Sequence, residues 1–308
     1  MKLLHGFQNS PMVWQGGYVA IGNLDGVHRG HQQIVSTVVR RAREAQVPSV
    51  LLTFNPHPIK ILRPEFAPPN LMTLESKATM LGELGIDFVI AYPTDRALLT
   101  MDPLEFFRVI ICDRLAARGL VEGPNFYFGK DRAGDVTTLR DLCDEHGLSL
   151  EIVKPVLANG EVVSSSRIRR ALADGEIRLA TQMLGHTYAL TGVVRSGAGR
   201  GRGIGFPTAN LEDISTLVPA NGVYAATTTV NDRDYNVALN IGPNPTFGEH
   251  AQKVEAHLLD FDGELYDETL TLQLRHHIRA GRRFDSADEL VQQVRRDVER
   301  IRELLSQD

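Results

Sequence analysis

Cysteine, tryptophan and long apolar runs are all scarce in this 308-residue chain, which holds 2 Cys, 1 Trp and 6% aromatic residues. Two cysteines exclude a disulfide framework and a four-cysteine zinc site. Cys112 and Cys143 both fall in segments that read as helix, where a small buried hydrophobe is the expected role. No window approaches about 18 uninterrupted apolar residues, so no membrane span is expected. The opening stretch, MKLLHGFQNSPMVWQGG, is too interrupted for a signal peptide. Basic excess is absent too: 33 Lys and Arg stand against 38 Asp and Glu, for a net charge of -5. Residues 1–185 carry 20 of each sign and residues 186–308 carry 13 basic and 18 acidic side chains. Neither half has the charge of a general nucleic-acid binder. There is no internal repeat, and no motif prescribes an oligomeric state. A reduced, soluble, cytoplasmic protein of about two domains is the expectation.

What is present divides by rhythm. From residue 18 to about 156, short apolar runs alternate with helical periods. Strands are expected at Tyr18–Ile21, Val50–Phe54, Asp87–Ala91, Gly119–Glu122 and Leu148–Val153. Helices are expected at His31–Ala45, Leu74–Leu84, Pro103–Ala117 and from a cap at Asp135 to His146. Five strands interleaved with helices imply a doubly wound parallel sheet. Past residue 185 the helical periods stop. Thr187–Arg195, Val223–Val230, Tyr235–Ile241, Val254–Asp260 and Thr269–His277 read as strands joined by Asn-Gly, Asn-Asp and Asp-Gly turns. That is the pattern of a small antiparallel barrel or sandwich, closed by an amphipathic helix over Ser286–Leu305. The boundary falls near Leu184–Thr187, giving domains 1–185 and 186–308.

The densest motif, Gly22-Asn-Leu-Asp-Gly-Val-His-Arg-Gly-His31, lies where the first of these strands turns into a helix. Ligands bind at such strand ends, and a helix N-terminus presents unpaired amides to phosphate. Gly22, Gly26 and Gly30 allow close backbone approach, and His28 and His31, three apart, can aim donors at one phosphate. A metal site would need a third ligand of matching type, and none is evident nearby. Ser164-Ser-Ser-Arg-Ile-Arg169 opens another helix and offers a second anion cradle through its hydroxyls, Arg167 and Arg169.

In these residues the first half resembles the nucleotidyltransferases that carry H-x-G-H with a later S-S-[TS]-x-I-R segment. Over residues 15–300 the chain resembles the bacterial bifunctional riboflavin kinase/FAD synthetase family. Phe54-Asn-Pro-His-Pro58 and Asn125-Phe-Tyr-Phe-Gly-Lys-Asp-Arg-Ala-Gly-Asp135 are its flavin-related markers. The resemblance implies AMP transfer from ATP to FMN in residues 1–185, giving FAD and pyrophosphate. It implies a nucleotide site of Gly22, Asn23, Asp25, Gly26, His28, Gly30 and His31, with Ser164, Ser166, Arg167 and Arg169 on the departing phosphates. FMN would lie against Phe54, Pro56, His57, Pro58, Asn125, Phe128 and Arg132. Of the alternating Phe126 and Phe128, one is core and the other lines a pocket. Magnesium is expected with the nucleotide, although this half shows no carboxylate cluster for it.

Ser196-Gly-Ala-Gly-Arg-Gly-Arg-Gly-Ile-Gly-Phe-Pro-Thr-Ala-Asn210 concentrates the second signal. Glycine at every second position from 197 to 205 excludes a stable strand and reads as a mobile loop whose amides, with Arg200 and Arg202, suit phosphate. It is neither a Walker A loop nor a G-x-G-x-x-G turn. Phe206-Pro-Thr-Ala-Asn210 ends it in a fixed turn, and this matches the riboflavin kinase signature. The resemblance assigns ATP to Gly197, Gly199, Gly201, Gly203, Phe206, Pro207 and Thr208, and magnesium to Thr208 and Asn210. It makes Glu255 the base for the riboflavin 5′-hydroxyl and puts Arg279 and Phe284 beside the flavin. Ile241-Gly-Pro-Asn-Pro-Thr-Phe-Gly248 would border the pocket. Departures from the pattern are Leu24 for Phe, Ser166 for Thr, Asn125 for Asp, and Ala280 and Gly281 for Pro and Glu. The alternatives are an enzyme with one working half, or a flavin-binding sensor without turnover.

Overall fold

A computed structural model describes residues 1–7, 12–197, 200–203, 205–243 and 252–307. The chain forms two compact units, Met1–Pro68 with Thr73–Val163, and Pro69–Met72 with Ser164–Asp308.

The first unit is built on a six-stranded parallel sheet. Its strands are β1 (Lys2–His5), β2 (Tyr18–Ile21), β3 (Ser49–Asn55), β4 (Phe88–Pro93), β5 (Gly119–Glu122) and β6 (Ser149–Ile152), in the order β1-β4-β3-β2-β5-β6. The order reverses between β2 and β5, and that switch point opens a crevice at the strands' C-terminal ends. Five strands were expected. The sixth is β1, a four-residue edge strand pairing with β4 and too short to show alternation. Central β3 is covered on both faces, so Val50, Leu51 and Leu52 are all fully buried, as a parallel strand requires.

The connecting helices are α1 (Arg29–Ala45), α2 (Pro58–Leu62), α3 (Leu74–Glu83), α4 (Arg96–Thr100), α5 (Pro103–Phe106) and α6 (Val136–His146). Asp135 Oδ1 accepts from Thr138 N at 2.9 Å to start α6, and Gly147, at φ 69°, stops it. The α-helix expected over Pro103–Ala117 is only a turn long; Phe107–Arg114 continues as a π-helix. Its wider turn narrows the angle between neighbours, and the adjacent pairs Phe106–Phe107 and Ile110–Ile111 are all buried. A short hairpin, β7 (Leu157–Ala158) and β8 (Glu161–Val162), ends this unit.

The second unit contains α7 (Ser165–Ala173) and α8 (Ile177–Leu184) and a closed six-stranded barrel. The barrel strands are β9 (Tyr188–Arg195), β10 (Ala209–Glu212), β11 (Gly222–Val230), β12 (Arg233–Gly242), β13 (Lys253–Leu258) and β14 (Thr269–Arg279), in the order β10-β13-β12-β11-β14-β9. Asn231 and Asp232, at φ 49° and 60°, make the two-residue hairpin turn between β11 and β12. Two expectations for the glycine-rich segment change. Ala209 and Asn210 belong to β10 instead of a turn, because pairing with both β9 and β13 closes the barrel and overrides the poor strand propensity of Asn. Residues Arg200–Gly203 form a helical turn, α9. The closing helix α10 (Ala287–Leu305) is capped by Ser286 and packs Val298, Ile301 and Leu305 against Ala225, Leu259 and Ile278.

Candidate functional site

In the first unit, the Gly22–His31 motif leaves β2 at the switch point. Ile21 N donates to Glu122 Oε1 of β5 at 2.7 Å, replacing a ladder bond with a side-chain one. Gly22 N still donates to Leu52 O of β3 at 2.9 Å. Leu24, Gly26 and Val27 then take φ of 42°, 81° and 36°. A β-branched residue tolerates positive φ only where its surroundings impose it, and Val27 is fully buried. The Asn23 carbonyl accepts from Thr53 Oγ1 at 3.4 Å and from the ammonium of Lys77 on α3.

His28 caps α1, and its Nδ1 accepts from His31 N at 3.4 Å. That bond assigns the ring proton to Nε2 as a donor. The His28 and His31 rings stack at 3.5 Å and 17°. Gly30 permits this, since a Cβ there would lie 3.2 Å from His28 Cε1. Burial, then His28, then Lys77 hold the His31 pKa well below its ordinary value, so its imidazole is neutral. His31 Nδ1 and Asn23 Oδ1 are buried with no hydrogen-bond partner among the described residues. Such atoms are normally satisfied; the imidazole nitrogen can donate at a helix N-terminus suited to phosphate, whereas the amide oxygen can only accept. Asp25 is buried close enough to act electrostatically on Lys77.

The expected flavin residues gather at neighbouring strand ends. Phe54 is half-buried against the core, while Pro56 is exposed and held through its carbonyl by Thr94 Oγ1 at 2.6 Å. His57 Nδ1 accepts from Ile59 N at 3.1 Å to cap α2, whose first residue is Pro58. Asn125 is exposed. Phe128 packs in the core beside Phe106 and Phe126, so Phe126 is the more accessible of the alternating pair. Arg132 stacks 4.5 Å over the exposed Tyr127 ring.

The second unit holds Ser164, which caps α7 by accepting from Arg167 N at 3.3 Å. Ser166 is exposed, Arg167 is half-buried, and Arg169 Nε donates to Pro69 O at 2.8 Å.

On the barrel, Asn210 of β10 and Glu255 of β13 are register partners. Directly opposed residues share a face. Leu211, Val254 and Ala256 point inward, so Asn210 and Glu255 lie together on the outer face. The glycine-rich segment folds onto them. A Cβ on Gly197 would overlap the Asn210 amide, and one on Gly201 would overlap the Phe206 carbonyl and sit 3.3 Å from Thr208 Oγ1. Phe206 N donates to Gly201 O at 2.8 Å, and the Phe206 ring meets His257 edge-on at 5.5 Å. His257 Nδ1 donates to Pro207 O at 2.7 Å. A cavity of about 80 Å³ opens beside Thr208, lined also by Pro207, Leu258, Phe261 and Tyr266. Gly203 closes α9. Gly199, the side chains of Arg200 and Arg202, and positions 244–248 of the Ile241–Gly248 segment lie outside the described residues.

The structure engages Arg279 elsewhere. Its Nε and Nη2 donate to both Asp297 carboxylate oxygens at 2.7–3.2 Å, tying β14 to α10. Phe284 is buried beneath Arg279 and Arg282. Sequence reasoning missed Lys77, Glu122, His257 and Asp297. Lys77 had a readable signal, because it lies one helical turn before buried Leu81, where an apolar residue is normal.

Comparison with known proteins assigns a family to each half of the chain. A model of the FAD synthetase family matches residues 10–167, and one of riboflavin kinase matches residues 184–305. The Escherichia coli (strain K12) bifunctional riboflavin kinase/FMN adenylyltransferase is 35% identical over 299 residues, covering 96% of each chain. The Pseudomonas fluorescens protein of the same name is 36% identical over 305 residues, covering 99% of this chain and 98% of its own. A crystal structure from Streptococcus pneumoniae, described as a macrolide-efflux protein, is 29% identical with a TM-score of 0.85 and covers 98% of both chains. Among the described residues, no helix is long and apolar enough to cross a membrane.

Proposed function

The chain belongs to the bifunctional riboflavin kinase/FMN adenylyltransferase family, and from that membership we propose which residues carry each of its two reactions. It phosphorylates riboflavin to FMN with ATP in its C-terminal part. It transfers AMP from a second ATP to FMN in its N-terminal part, giving FAD and pyrophosphate. We assign residues 1–185 to the adenylyltransferase and 186–308 to the kinase. ATP as co-substrate of both reactions, with two free cysteines of which Cys143 is buried, supports a cytoplasmic setting. The charge balance supports small-molecule partners and no nucleic acid.

For adenylyl transfer, the FMN phosphate attacks the α-phosphorus in line and pyrophosphate leaves. No protein nucleophile is needed; the site positions reactants and stabilises growing charge. His28 Nε2–H and neutral His31 donate to the α-phosphate oxygens, with Gly22, Asn23, Asp25, Gly26 and Gly30 shaping the nucleotide turn. Ser164, Ser166, Arg167 and Arg169 go to the departing pyrophosphate. Phe54, Pro56, His57, Pro58, Asn125 and Arg132 border FMN, with Phe128 acting behind Phe126.

For kinase chemistry, Glu255 accepts the proton of the riboflavin 5′-hydroxyl as that oxygen attacks the γ-phosphorus and ADP leaves. The amide and hydroxyl oxygens of Asn210 and Thr208 suit magnesium, and the glycine segment that a Cβ would fill holds them against the phosphate loop. When bound with ATP, magnesium neutralises phosphate charge. Gly197, Gly199, Gly201, Gly203, Phe206 and Pro207 enclose the phosphates. Arg279 and Phe284 act on the flavin from behind, through the loop they anchor.

The observation that carries the residue assignment is the Asn210–Glu255 register on the barrel's outer face. The test is chromatographic identification of products from riboflavin, ATP and magnesium with the purified chain. FMN followed by FAD with pyrophosphate release is expected, and His28→Ala is expected to abolish FAD while sparing FMN. Loss of both products in a folded His28→Ala protein would overturn the separation of sites.

A further inference from the structure

Beneath the adenylyltransferase motif lies a cation that the mechanism above does not use. Lys77 is 8% exposed on α3, on the same helical face as fully buried Leu81. A buried ammonium is costly unless paired and hydrogen-bonded. Its hydrogen bond goes to the Asn23 carbonyl, in the middle of the strained turn between β2 and α1. The same carbonyl accepts from Thr53 of β3, so α3 and β3 converge on one backbone oxygen of the motif. One residue either side of that oxygen, Gly22 is held by Leu52 O and Leu24 has left the usual backbone region.

We infer that Lys77 is a positioning residue for adenylyl transfer: its ammonium anchors the Asn23 carbonyl and thereby sets where His28 and His31 meet the α-phosphate. This rests on the adenylyltransferase reading of the site. Asn23 Oδ1, on the anchored residue itself, and His31 Nδ1, beyond the turn, are buried with no hydrogen-bond partner among the described residues. The backbone of the turn is held in place before a ligand arrives, which is the condition for the histidine donors that follow it to act without reorganising. The anchor is also a charge. The ionisable groups acting around it are Asp25, which favours its charged form, and His31, whose protonation it opposes alongside the stacked His28. From β3 the contribution is the neutral Thr53 hydroxyl. Methionine at position 77 would keep the apolar stem and remove both the hydrogen bond and the charge.

The experiment uses the full chain as wild type, Lys77→Met and Thr53→Val. FAD and pyrophosphate formation from FMN, ATP and magnesium is measured from about pH 5 to pH 9, with riboflavin phosphorylation as the internal control. Lys77→Met is expected to lower kcat for FAD formation on the order of 10- to 100-fold with KM changed less than about threefold, leaving kinase activity intact. Its acid limb is expected to move to higher pH, because His31 has lost an opposing charge. Thr53→Val loosens the same oxygen without touching charge, so it is expected to lower kcat with the acid limb unmoved. Wild-type kcat and an unmoved limb in Lys77→Met would overturn the inference. Should Lys77→Met lose both activities through misfolding, wild-type kcat in Thr53→Val would overturn it as well. A wild-type chain that made FMN but released no pyrophosphate would instead bring down the adenylyltransferase reading, and this inference with it.

Discussion

Asn210 and Glu255 face each other as register partners across the β10–β13 pair, with Asn210 also paired to Arg195 on β9. The residues proposed as kinase base and metal-holding amide are thus fixed by backbone ladders instead of by loop packing, so removing either side chain leaves the barrel seam in place. Glu255→Gln is expected to lower FMN formation by about 10²- to 10⁴-fold, the usual contribution of a general base. Asn210→Ala is expected to raise the magnesium concentration needed for half-maximal kinase rate. FAD formation from supplied FMN stays at the wild-type level in both. Separate assays of the two reactions check this, and equal loss of both activities in a protein with unchanged Tm would contradict it.

Gly197 is the residue through which the glycine segment reaches that pair. A Cβ at this position would lie 2.7 Å from Asn210 Cγ, which forces either the amide or the loop to move. Gly197→Ala is expected to raise the kinase KM for magnesium-ATP by about tenfold, with the adenylyltransferase untouched. Gly281→Ala, where a Cβ would also meet nothing within 4 Å and which lies outside the residues proposed for the phosphates, is the comparison. Equal KM values in the two variants would show that the contact with Asn210 is not what position 197 protects.

Where a boundary is written in one or two residues, the sequence carried it. Asp135 and Gly147 bracket α6, and Asn231-Asp232 marks the hairpin, because capping and left-handed turn chemistry are local. The strands β1 and β10 escaped because four residues at an edge or a closing seam owe their conformation to partners far along the chain. The same division runs through the sites. Histidines three apart at a strand–helix junction are legible as a candidate anion site, but their stacking is not. It depends on Gly30 and on a turn held by Lys77 and Thr53. The Asn210–Glu255 pairing is likewise a matter of register. The Arg279–Asp297 pair is not legible either, because Asp297 sits on a helix that looks uniformly solvated in sequence.

That Arg279–Asp297 pair makes its own prediction. Asp297 is 5% exposed and also accepts from Gln293 Nε2 at 2.8 Å, so its carboxylate is fully engaged inside the second unit. Removing one partner of a fully buried pair costs about 3–5 kcal/mol; here the Arg279 side chain is 22% exposed and regains water, so a smaller loss, about 2 kcal/mol, is expected. Asp297→Ala is therefore expected to lower the unfolding free energy by that amount while the first unit's transition is unchanged. Denaturant unfolding followed alongside the kinase KM for riboflavin separates anchoring from direct flavin contact. A large KM rise with no loss of stability would return Arg279 to the flavin.

Glu122 gives the first unit a pH signature of its own. Burial holds its carboxyl well above the usual range, and the hydrogen bond from Ile21 N offsets this only in part. The native protein therefore keeps a proton that the unfolded chain releases near 4.5. Stability from this group is fully present below that value and is lost as pH rises through the folded value. Glu122→Gln keeps an acceptor for Ile21 and abolishes the ionisation. Its Tm is expected to exceed that of the wild type by more at about pH 9 than at about pH 5. His31 produces the opposite slope, since its lowered pKa costs stability as pH falls below 6.5. That slope is common to both proteins and cancels in their difference. Thermal unfolding across this range checks the expectation. A difference that stayed flat would mean that Glu122 is charged in the native state at neutral pH, and that the end of β2 is held by a carboxylate and not by a carboxylic acid.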